Sequence, residues 1–414
     1  MNDRYVLKAD RIVLPNRMLE GGWVVVQGGR FAAVGAGSPP LASPVVNAAG
    51  FTLAPGLVDI HVHGGAGADF MDGSSEAICT VARAHAGYGT TSLVLTTTTA
   101  PEQRIVETLE IARSFVHRDR NAVSPATNRG RILGVHLYGP FFGPEAVGCH
   151  SPEHLFSPEG GAERLLKRFA DVLIGVTVAP EVTGWEQVAR AAIRLGLRVH
   201  VGHSDATFEQ FAAAVRAGAS HVDHLFCAMS DKTKLRRKAA YPMRGGVLEG
   251  TLLFEHVTTE VIADGKHLRP ELLHLAYRIK GPDRLALVTD CNRALDMPDG
   301  EYIFGPRDYG TRFVRRDGVG IMPDGNGLAS SCVALAHCLH HFFGHVPCPM
   351  EHVIRMCTLT PARIAGVDHL VGSIEPGKFA DFVLLDEELR VVAVALGGRQ
   401  IAGEPVSGLP QAER

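Results

Sequence analysis

The sequence has little excess charge, no long apolar run and no closely spaced pair of cysteines. Its 41 Lys and Arg nearly balance its 44 Asp and Glu, and the formal charge of −3 comes without a run of like charge. A nucleic acid is therefore not expected as a partner. No stretch approaches the roughly 18 uninterrupted apolar residues of a membrane span, and the first residues lack an apolar signal segment. We expect no membrane partner and a cytoplasmic location.

The eight cysteines stand singly, without a CxxC pair, in a chain of 414 residues that is too large to depend on disulfides. We expect them to be reduced thiols. Hydrophobic residues make up 46% of the chain and charged residues 21%, which is typical of a folded globular protein. The 20 histidines stand out against this ordinary composition, because imidazole is the commonest metal ligand near neutral pH.

The two ends of the chain carry the period-two alternation of apolar and polar residues that is typical of antiparallel strands. The alternating segments are 5–14, 22–34, 381–386 and 390–396. They predict one small β-sandwich domain assembled from both termini, residues 1–54 and 371–414. The remaining residues, 55–370, form the second predicted domain.

The central part of the chain alternates buried strands with helices, the pattern of a parallel sheet with crossover helices. The predicted strands are 57–64, 91–98, 132–138, 173–179, 198–203, 220–225, 260–263 and 284–290. Predicted helices include 186–195, 208–217, 335–343 and 350–364. Eight strand-helix repeats in about 250 residues predict the α/β class and a (β/α)8 TIM barrel.

Polar side chains follow several of these strands where a barrel places its reactive groups, at the carboxyl ends. His61 and His63 lie two apart on the first strand, so both side chains point the same way. His203, His224 and Asp290 end the fifth, sixth and eighth strands. Their convergence predicts a metal site, and nitrogen-rich ligation favours zinc or another divalent transition metal over magnesium or calcium.

Asp290 is the predicted catalytic residue. A divalent ion lowers the pKa of a bound water to about 7, and a neighbouring carboxylate can accept a proton and deliver it to a leaving group. This chemistry hydrolyses amides and esters. The alternative for Asp290 is a helix N-cap, but Cys291, Asn292 and the following residues 298–300 are typical of a loop.

Seven segments, together with the short stretches 144–145, 148–150 and 228–229, resemble the amidohydrolase superfamily and, within it, the N-acetylglucosamine-6-phosphate deacetylase family. The seven are PGLVDIHVHG (55–64), 134–142, VGHSDA (201–206), HVDHLF (221–226), IADGKH (262–267), LVTD (287–290) and GSIEPGKFAD (372–381). They follow the family's order over nearly the whole chain.

The resemblance implies a barrel with a small β-sandwich, a homodimer, and metal-dependent removal of an acetyl group from an amino sugar phosphate. It implies that His61 and His63 form a first metal position and that His203 and His224 form a second. His150 and His267 correspond to positions that contact the sugar and its phosphate, and His150 could also polarise the acetyl carbonyl.

Four departures from the family pattern bear on the site. Tyr138 stands where family members carry a metal-binding Glu, and a neutral phenol with a reference pKa near 10 is a poor ligand unless the ion depresses that value. Two outcomes follow: a single ion held by a subset of the four His with Asp290, or two ions with another oxygen in place of the missing bridge.

The other departures concern the substrate. Cys227 replaces an Asn which, with the backbone next to it at Ala228, holds phosphate in the family. The basic segment 231–238 replaces a motif with a phosphate-binding Arg, so Arg236 or Arg237 becomes the candidate for that role. Cys291 and Asn292 replace a pair of small residues after Asp290 and alter the predicted pocket wall.

Three hypotheses remain from the sequence. The first is deacetylation of an N-acetylated amino sugar, such as N-acetylglucosamine 6-phosphate, to the amine and acetate. The second keeps the metal chemistry with another amide, for example an N-acylamino acid or a cyclic imide. The third is a barrel that has lost catalysis and binds a partner, which the Tyr138 replacement favours and the complete set of His and Asp ligands opposes.

Overall fold

The fold is described from a computed structural model for residues 4–40, 44–123, 128–158, 161–325 and 327–412. The strands are β1 (Arg4–Leu14), β2 (Arg17–Gln27), β3 (Arg30–Ala36), β4 (Val45–Pro55), β5 (Leu57–Val62), β6 (Gly64–Gly65), β7 (Ala68–Asp69), β8 (Thr90–Thr96), β9 (Arg131–Phe141), β10 (Leu173–Val178), β11 (Arg198–Val201), β12 (Ala219–Val222), β13 (Thr258–Ile262), β14 (Leu285–Val288), β15 (Gly300–Phe304), β16 (Thr311–Arg316), β17 (Val319–Ile321), β18 (Leu328–Ser331), β19 (Phe382–Leu385), β20 (Val391–Leu396) and β21 (Arg399–Gly403). The α-helices are α1 (Ser75–Gly87), α2 (Glu102–Asn121), α3 (Ala162–Arg168), α4 (Trp185–Arg194), α5 (Phe208–Arg216), α6 (Lys232–Lys238), α7 (Val247–Leu253), α8 (Pro270–Lys280), α9 (Leu335–His345), α10 (Met350–Met356) and α11 (Leu359–Ala365).

The predicted barrel is confirmed. Its eight strands, β5 and β8 to β14, lie in chain order and pair in parallel, and each coincides with a predicted strand to within a few residues. The first and last strands meet through backbone hydrogen bonds from Asp290 N to His61 O (2.8 Å) and from His63 N to Cys291 O (2.9 Å). These two bonds close the barrel beside the predicted site residues.

The helices cover the barrel with buried apolar faces, as α4 shows with Trp185 and Val188. The segment predicted as one helix over 350–364 is two helices, α10 and α11. The carbonyl of Cys357 accepts a hydrogen bond from Val58 N of β5 (2.9 Å) at the junction. The backbone therefore leaves the helical pattern to pair with the barrel.

Both ends of the chain build one seven-stranded sheet in the order β21-β20-β19-β4-β1-β2-β3, which confirms the predicted β-rich domain from the two termini. Its core joins side chains from both ends, including Leu7, Val24 and Leu384. Residues 1–3, 41–43 and 413–414 of the predicted domain lie outside the described residues. The bounds 1–54 with 371–414 and 55–370 stay a prediction.

A four-stranded antiparallel sheet, β15 to β18, follows the last barrel strand. The residue pattern does not predict this sheet, because residues 298–300 are typical of a loop. Its strands end at Ser331, next to the carboxyl end of β14, where Ser331 N bonds Asp290 O (3.1 Å). This sheet thus forms one wall of the barrel mouth. In the described ranges, no helix has the length and apolar character needed to cross a membrane.

Candidate metal centre and active site

The five predicted ligand and catalytic residues come together at the carboxyl ends of the barrel strands. His61 lies on β5 and His63 just after it, while His203, His224 and Asp290 each follow the end of a strand. All five are buried. His203, His224 and Asp290 have positive φ angles of 45°, 23° and 47°. Such left-handed backbone in non-glycine residues is strained and concentrates at functional sites.

His61, His63 and Asp290 form the first half of the site. Asp290 Oδ1 lies 3.5 Å from His61 Nε2 and 3.1 Å from His63 Nε2. Neither ring nitrogen has a hydrogen bond of acceptable geometry, although both are fully buried. Orphaned buried nitrogens of this kind are costly unless a ligand satisfies them. The three side chains present their ligand atoms close enough together to hold one ion.

Each of these two histidines is held through its other ring nitrogen. His61 Nδ1 contacts Glu260 Oε1 at 2.5 Å, and His63 Nδ1 lies 3.1 Å from the carbonyl oxygen of Thr96. Because both partners are acceptors, each Nδ1 donates, and Nε2 is the ring nitrogen that each histidine directs into the site. This is the arrangement in which outer partners orient the histidine ligands of a metal.

His203, His224 and Tyr138 form the second half. His203 Nδ1 donates to the carbonyl of Ala146 (2.7 Å), so its Nε2 faces the site, 3.2 Å from His224 Nε2. The hydroxyl of Tyr138 lies 2.5 Å from the same His224 Nε2. The Nδ1 of His224 is buried without a partner. Tyr138 thus contacts a predicted ligand directly, while its correspondence to a metal-binding Glu of the family stays a prediction.

The two halves differ in charge. Burial opposes ionisation of Asp290, but the neighbouring His61 and His63 lower its pKa below the ordinary value, so it is a carboxylate. Burial also works against a charged His61, yet Glu260 and Asp290 raise its pKa to about 9. Burial lowers the pKa of His203 to about 3, and burial together with nearby carboxylates raises the pKa of Tyr138 above its usual range. The first half is therefore ionic and the second half neutral.

A cavity of about 280 Å³ opens over these groups. It is lined by Tyr138, Gly148, Cys149, His150, His203, His224, Cys227, Ala228, Ile262, His267, Asp290, Gly327, Leu328 and Ser330. Four predicted substrate contacts, at positions 150, 227, 228 and 267, are therefore beside the ligand cluster. His150 accepts a hydrogen bond from Thr99 N (3.4 Å), and His267 Nδ1 pairs with Asp264 (2.8 Å). A pocket with few convergent polar groups is the usual form of a small-molecule site.

The comparisons with known proteins agree with this geometry. The pattern that describes the amidohydrolase family matches residues 52–402, well over half of the chain. The chain belongs to the amidohydrolase family. This family is metal-dependent, and the buried His and Asp groups of the barrel mouth supply candidate ligands.

Several relatives are amino sugar phosphate deacetylases, and the chain belongs to that group. N-acetylglucosamine-6-phosphate deacetylase of Vibrio furnissii is 34% identical over 352 residues, which cover 84% of this chain and 82% of the relative. N-acetylgalactosamine-6-phosphate deacetylase of Escherichia coli O157:H7 is 30% identical over 401 residues, which cover 95% of this chain and 98% of the relative. A substituted N-acetylglucosamine-6-phosphate deacetylase from Mycobacterium smegmatis, solved with that sugar phosphate, has a TM-score of 0.87, 28% identity and coverage of 97% and 100%.

Two predicted substrate contacts of this amidohydrolase lie elsewhere. Arg236 and Arg237 are exposed on α6 and do not line the cavity. On the same helix, Lys234 Nζ bonds Asp205 Oδ1 (2.9 Å) and the carbonyl of Glu145 (2.9 Å), which anchors the helix to the barrel mouth. A role for the two arginines in binding phosphate stays a prediction.

Sequence reasoning missed two groups that support the amidohydrolase site. Glu260 accepts a hydrogen bond from His61 and also lies 3.2 Å from His221 Nε2. The signal that could have identified it from the sequence is a Glu on an otherwise apolar strand. Ser330 donates to Asp290 Oδ1 (3.2 Å) from the sheet that was not predicted. Deeper in the barrel, His136, His200 and Asp223 form a second buried group, held by a 3.0 Å contact between His200 Nδ1 and Asp223 Oδ1.

Proposed function

We propose that the protein is a metal-dependent hydrolase of C–N amide bonds that deacetylates an amino sugar phosphate, releasing acetate and the free amine. The observation that carries the proposal is the convergence of two orphaned imidazole nitrogens and an ionised carboxylate at the mouth of the barrel. The match to sugar phosphate deacetylases over most of the chain supports the substrate class.

The candidate metal ligands in this proposal are His61, His63, His203 and His224, of which a subset holds the ion together with Asp290. The donor set fits a divalent ion, because Glu260 and Thr96 orient the rings of His61 and His63 so that each directs its Nε2 into the site beside Asp290. Nitrogen-rich ligation supports zinc as that ion. When bound, such an ion supplies Lewis acidity and lowers the pKa of water in the site.

Asp290 acts as the acid and base. The neighbouring histidines lower the pKa of Asp290, so the group is present as a carboxylate, the form that can accept a proton from the attacking water. The proton then passes to the amine nitrogen as the C–N bond breaks. Ser330 donates to Oδ1 and so restrains the carboxylate during this transfer. Asp290 is therefore the group on which turnover depends.

The sugar is proposed to lie in the cavity against His150, His267, Cys227 and Ala228. Asp264 raises the pKa of His267 against the effect of burial, which supports a contact between this imidazole and an anionic group of the substrate. N-acetylglucosamine 6-phosphate is the proposed substrate, since relatives with that name match the chain. A relative named for the galactosamine epimer makes that sugar phosphate the second candidate.

Two other sequence hypotheses remain to be separated from this one. An amidohydrolase that acts on another amide would use the same metal and Asp290. A binding protein that has lost catalysis would hydrolyse no amide. We also propose that the protein forms a homodimer, as the resemblance to the family implies. From the balanced charge and the lack of long apolar runs, we expect neither a nucleic acid nor a membrane as a partner, and we expect a cytoplasmic location.

A panel of acylated substrates tests the proposal. Acetate release is measured from N-acetylglucosamine 6-phosphate, its galactosamine epimer, unphosphorylated N-acetylglucosamine and an N-acetylamino acid, with and without a chelator. We expect kcat/KM to be highest for a sugar phosphate and the activity to disappear on chelation. A higher kcat/KM for the N-acetylamino acid would contradict the sugar phosphate as substrate and support the hypothesis of another amide. A metal-loaded protein that releases acetate from no member of the panel would support the binding-protein hypothesis.

A further inference from the structure

The two halves of the site are unequally equipped to hold an ion. The first half offers His61 Nε2 and His63 Nε2, both orphaned, together with Asp290 Oδ1. These are two nitrogen donors and one anionic oxygen, a recurrent set for a divalent transition metal. Among the described residues this trio is one of three buried groups that could hold an ion, and it is the one that reaches the lining of the cavity, through Asp290.

The second half lacks a third ligand of this kind. Among the parts of the chain that the structure describes, no Asp, Glu or Cys completes a three-ligand group with His203 and His224. Their Nε2 atoms lie 3.2 Å apart and contact each other instead of converging on an open position. His224 also lacks a hydrogen-bond partner at Nδ1 among the described residues. No described acceptor on that side therefore orients the ring as Glu260 orients His61.

Tyr138 fills the space between the two halves. Its ring lies 4.6 Å from that of His61 and 5.4 Å from that of His203, in edge contacts with both. Its hydroxyl lies 2.5 Å from His224 Nε2, the atom that a second ion would need. Phe142 packs against the phenol ring in a further edge contact, with the ring centres 4.7 Å apart.

From this geometry we propose that the protein binds one ion, at His61, His63 and Asp290, and that Tyr138 closes the second position by hydrogen bonding to His224. This inference rests on the proposed function, because it concerns the same metal centre. Tyr138 is a positioning residue here. Its hydroxyl holds His224 against the wall of the cavity, and Ala146 holds His203 through its Nδ1.

The count of bound ions tests the inference without any substrate. The protein is loaded with excess zinc, desalted, and its metal content per chain measured by mass spectrometry. We expect one ion in the wild type, one in Tyr138→Phe, which keeps the ring, and two in Tyr138→Glu, which restores a carboxylate. His203→Ala keeps the ion and His61→Ala loses it.

Two ions per chain in the wild type would overturn the proposal. So would a single ion that survives His61→Ala and is lost in His203→Ala, since it would then occupy the other half. A drop from two ions to one in Tyr138→Phe would make the phenol a ligand. Circular dichroism confirms the fold of each variant, and His203→Ala with His61→Ala decides the position even where Tyr138→Glu does not fold.

The outcome is separable from that of the proposed function. An active deacetylase with two ions refutes only the one-ion inference. A protein with one ion that releases no acetate from any substrate refutes only the proposed function.

Discussion

At the scale of single residues, the site is organised by hydrogen bonds that orient the histidine rings. The carboxylate of Glu260 accepts from His61 Nδ1 (2.5 Å) and receives the backbone N–H of His224 (3.3 Å). The two histidines lie in opposite halves of the site. A single buried carboxylate thus orients one ring and fixes the backbone of the other.

Replacing Glu260 tests this role. Glu260→Gln removes the negative charge that orients His61, and partners of this type are worth about 10–100-fold in metal affinity. We expect the Kd for zinc, measured by competition with a chelating dye, to rise by about that factor. With saturating zinc, kcat falls less than metal affinity, because the ligands themselves remain.

Glu181→Gln is the matched control. Glu181 is also a largely enclosed carboxylate, but it bonds Ser204 Oγ (2.6 Å) and Asp205 N (2.6 Å) and no proposed ligand. Its zinc affinity should match the wild type. Equal loss of affinity in both variants would mean that general disruption of the barrel, and not the orientation of His61, weakens the site.

At the scale of elements, the barrel and the sheet from the termini are joined by a buried ion pair. Arg131 at the start of β9 bonds Asp381, just before β19, with contacts of 2.5 and 3.1 Å. Asp381 Oδ1 also accepts from Gly397 N (2.7 Å) after β20. Both charged groups are almost fully buried, so each depends on the other.

Breaking this pair should loosen the connection between the two layers. Asp381→Asn leaves the Arg131 charge buried and unpaired, which costs about 3–5 kcal/mol in the free energy of unfolding. Denaturant unfolding followed by circular dichroism measures the loss. Zinc content at low temperature should stay normal, since the pair is at the opposite end of β9 from Tyr138.

An exposed pair gives the comparison for that experiment. Glu301 and Arg312 lie 3.9 Å apart, with side chains 76% and 79% exposed. Glu301→Gln should change the free energy of unfolding by less than about 1 kcal/mol. A stability loss in Asp381→Asn no larger than in Glu301→Gln would contradict the role assigned to the buried pair.

At the scale of the whole molecule, the barrel order and the site at its mouth were predictable because strand and helix periods are local properties. The positions of His61 and His63 follow from the two-residue period of a strand. The hydrogen bond between Tyr138 and His224 depends on how β9 and β12 face each other across the barrel, which no local pattern encodes. The contact of Glu260 with His61 has the same origin.

The elements that escaped prediction also depend on tertiary pairing. The separation of α10 from α11 comes from the bond between Val58 N and Cys357 O, between residues far apart in sequence. The sheet β15 to β18 has short strands, and its last member is set by pairing near Asp290. The apolar pattern of these segments alone is compatible with a loop.

The central claim is that the molecule is a metal-dependent deacetylase whose turnover depends on Asp290. Acetate release from N-acetylglucosamine 6-phosphate by zinc-loaded Asp290→Asn tests it most directly. Asp296→Asn, which changes an exposed Asp in the following loop, is the control and should retain the wild-type rate. Metal content is measured in both, so that loss of the ion is told apart from loss of the proton acceptor.

We expect zinc-loaded wild type to release acetate, and we expect the rate in Asp290→Asn to fall by about 10²–10⁴-fold, the usual contribution of a positioned acid and base. Acetate release at the wild-type rate from Asp290→Asn, or from wild type stripped of metal, would contradict the central claim.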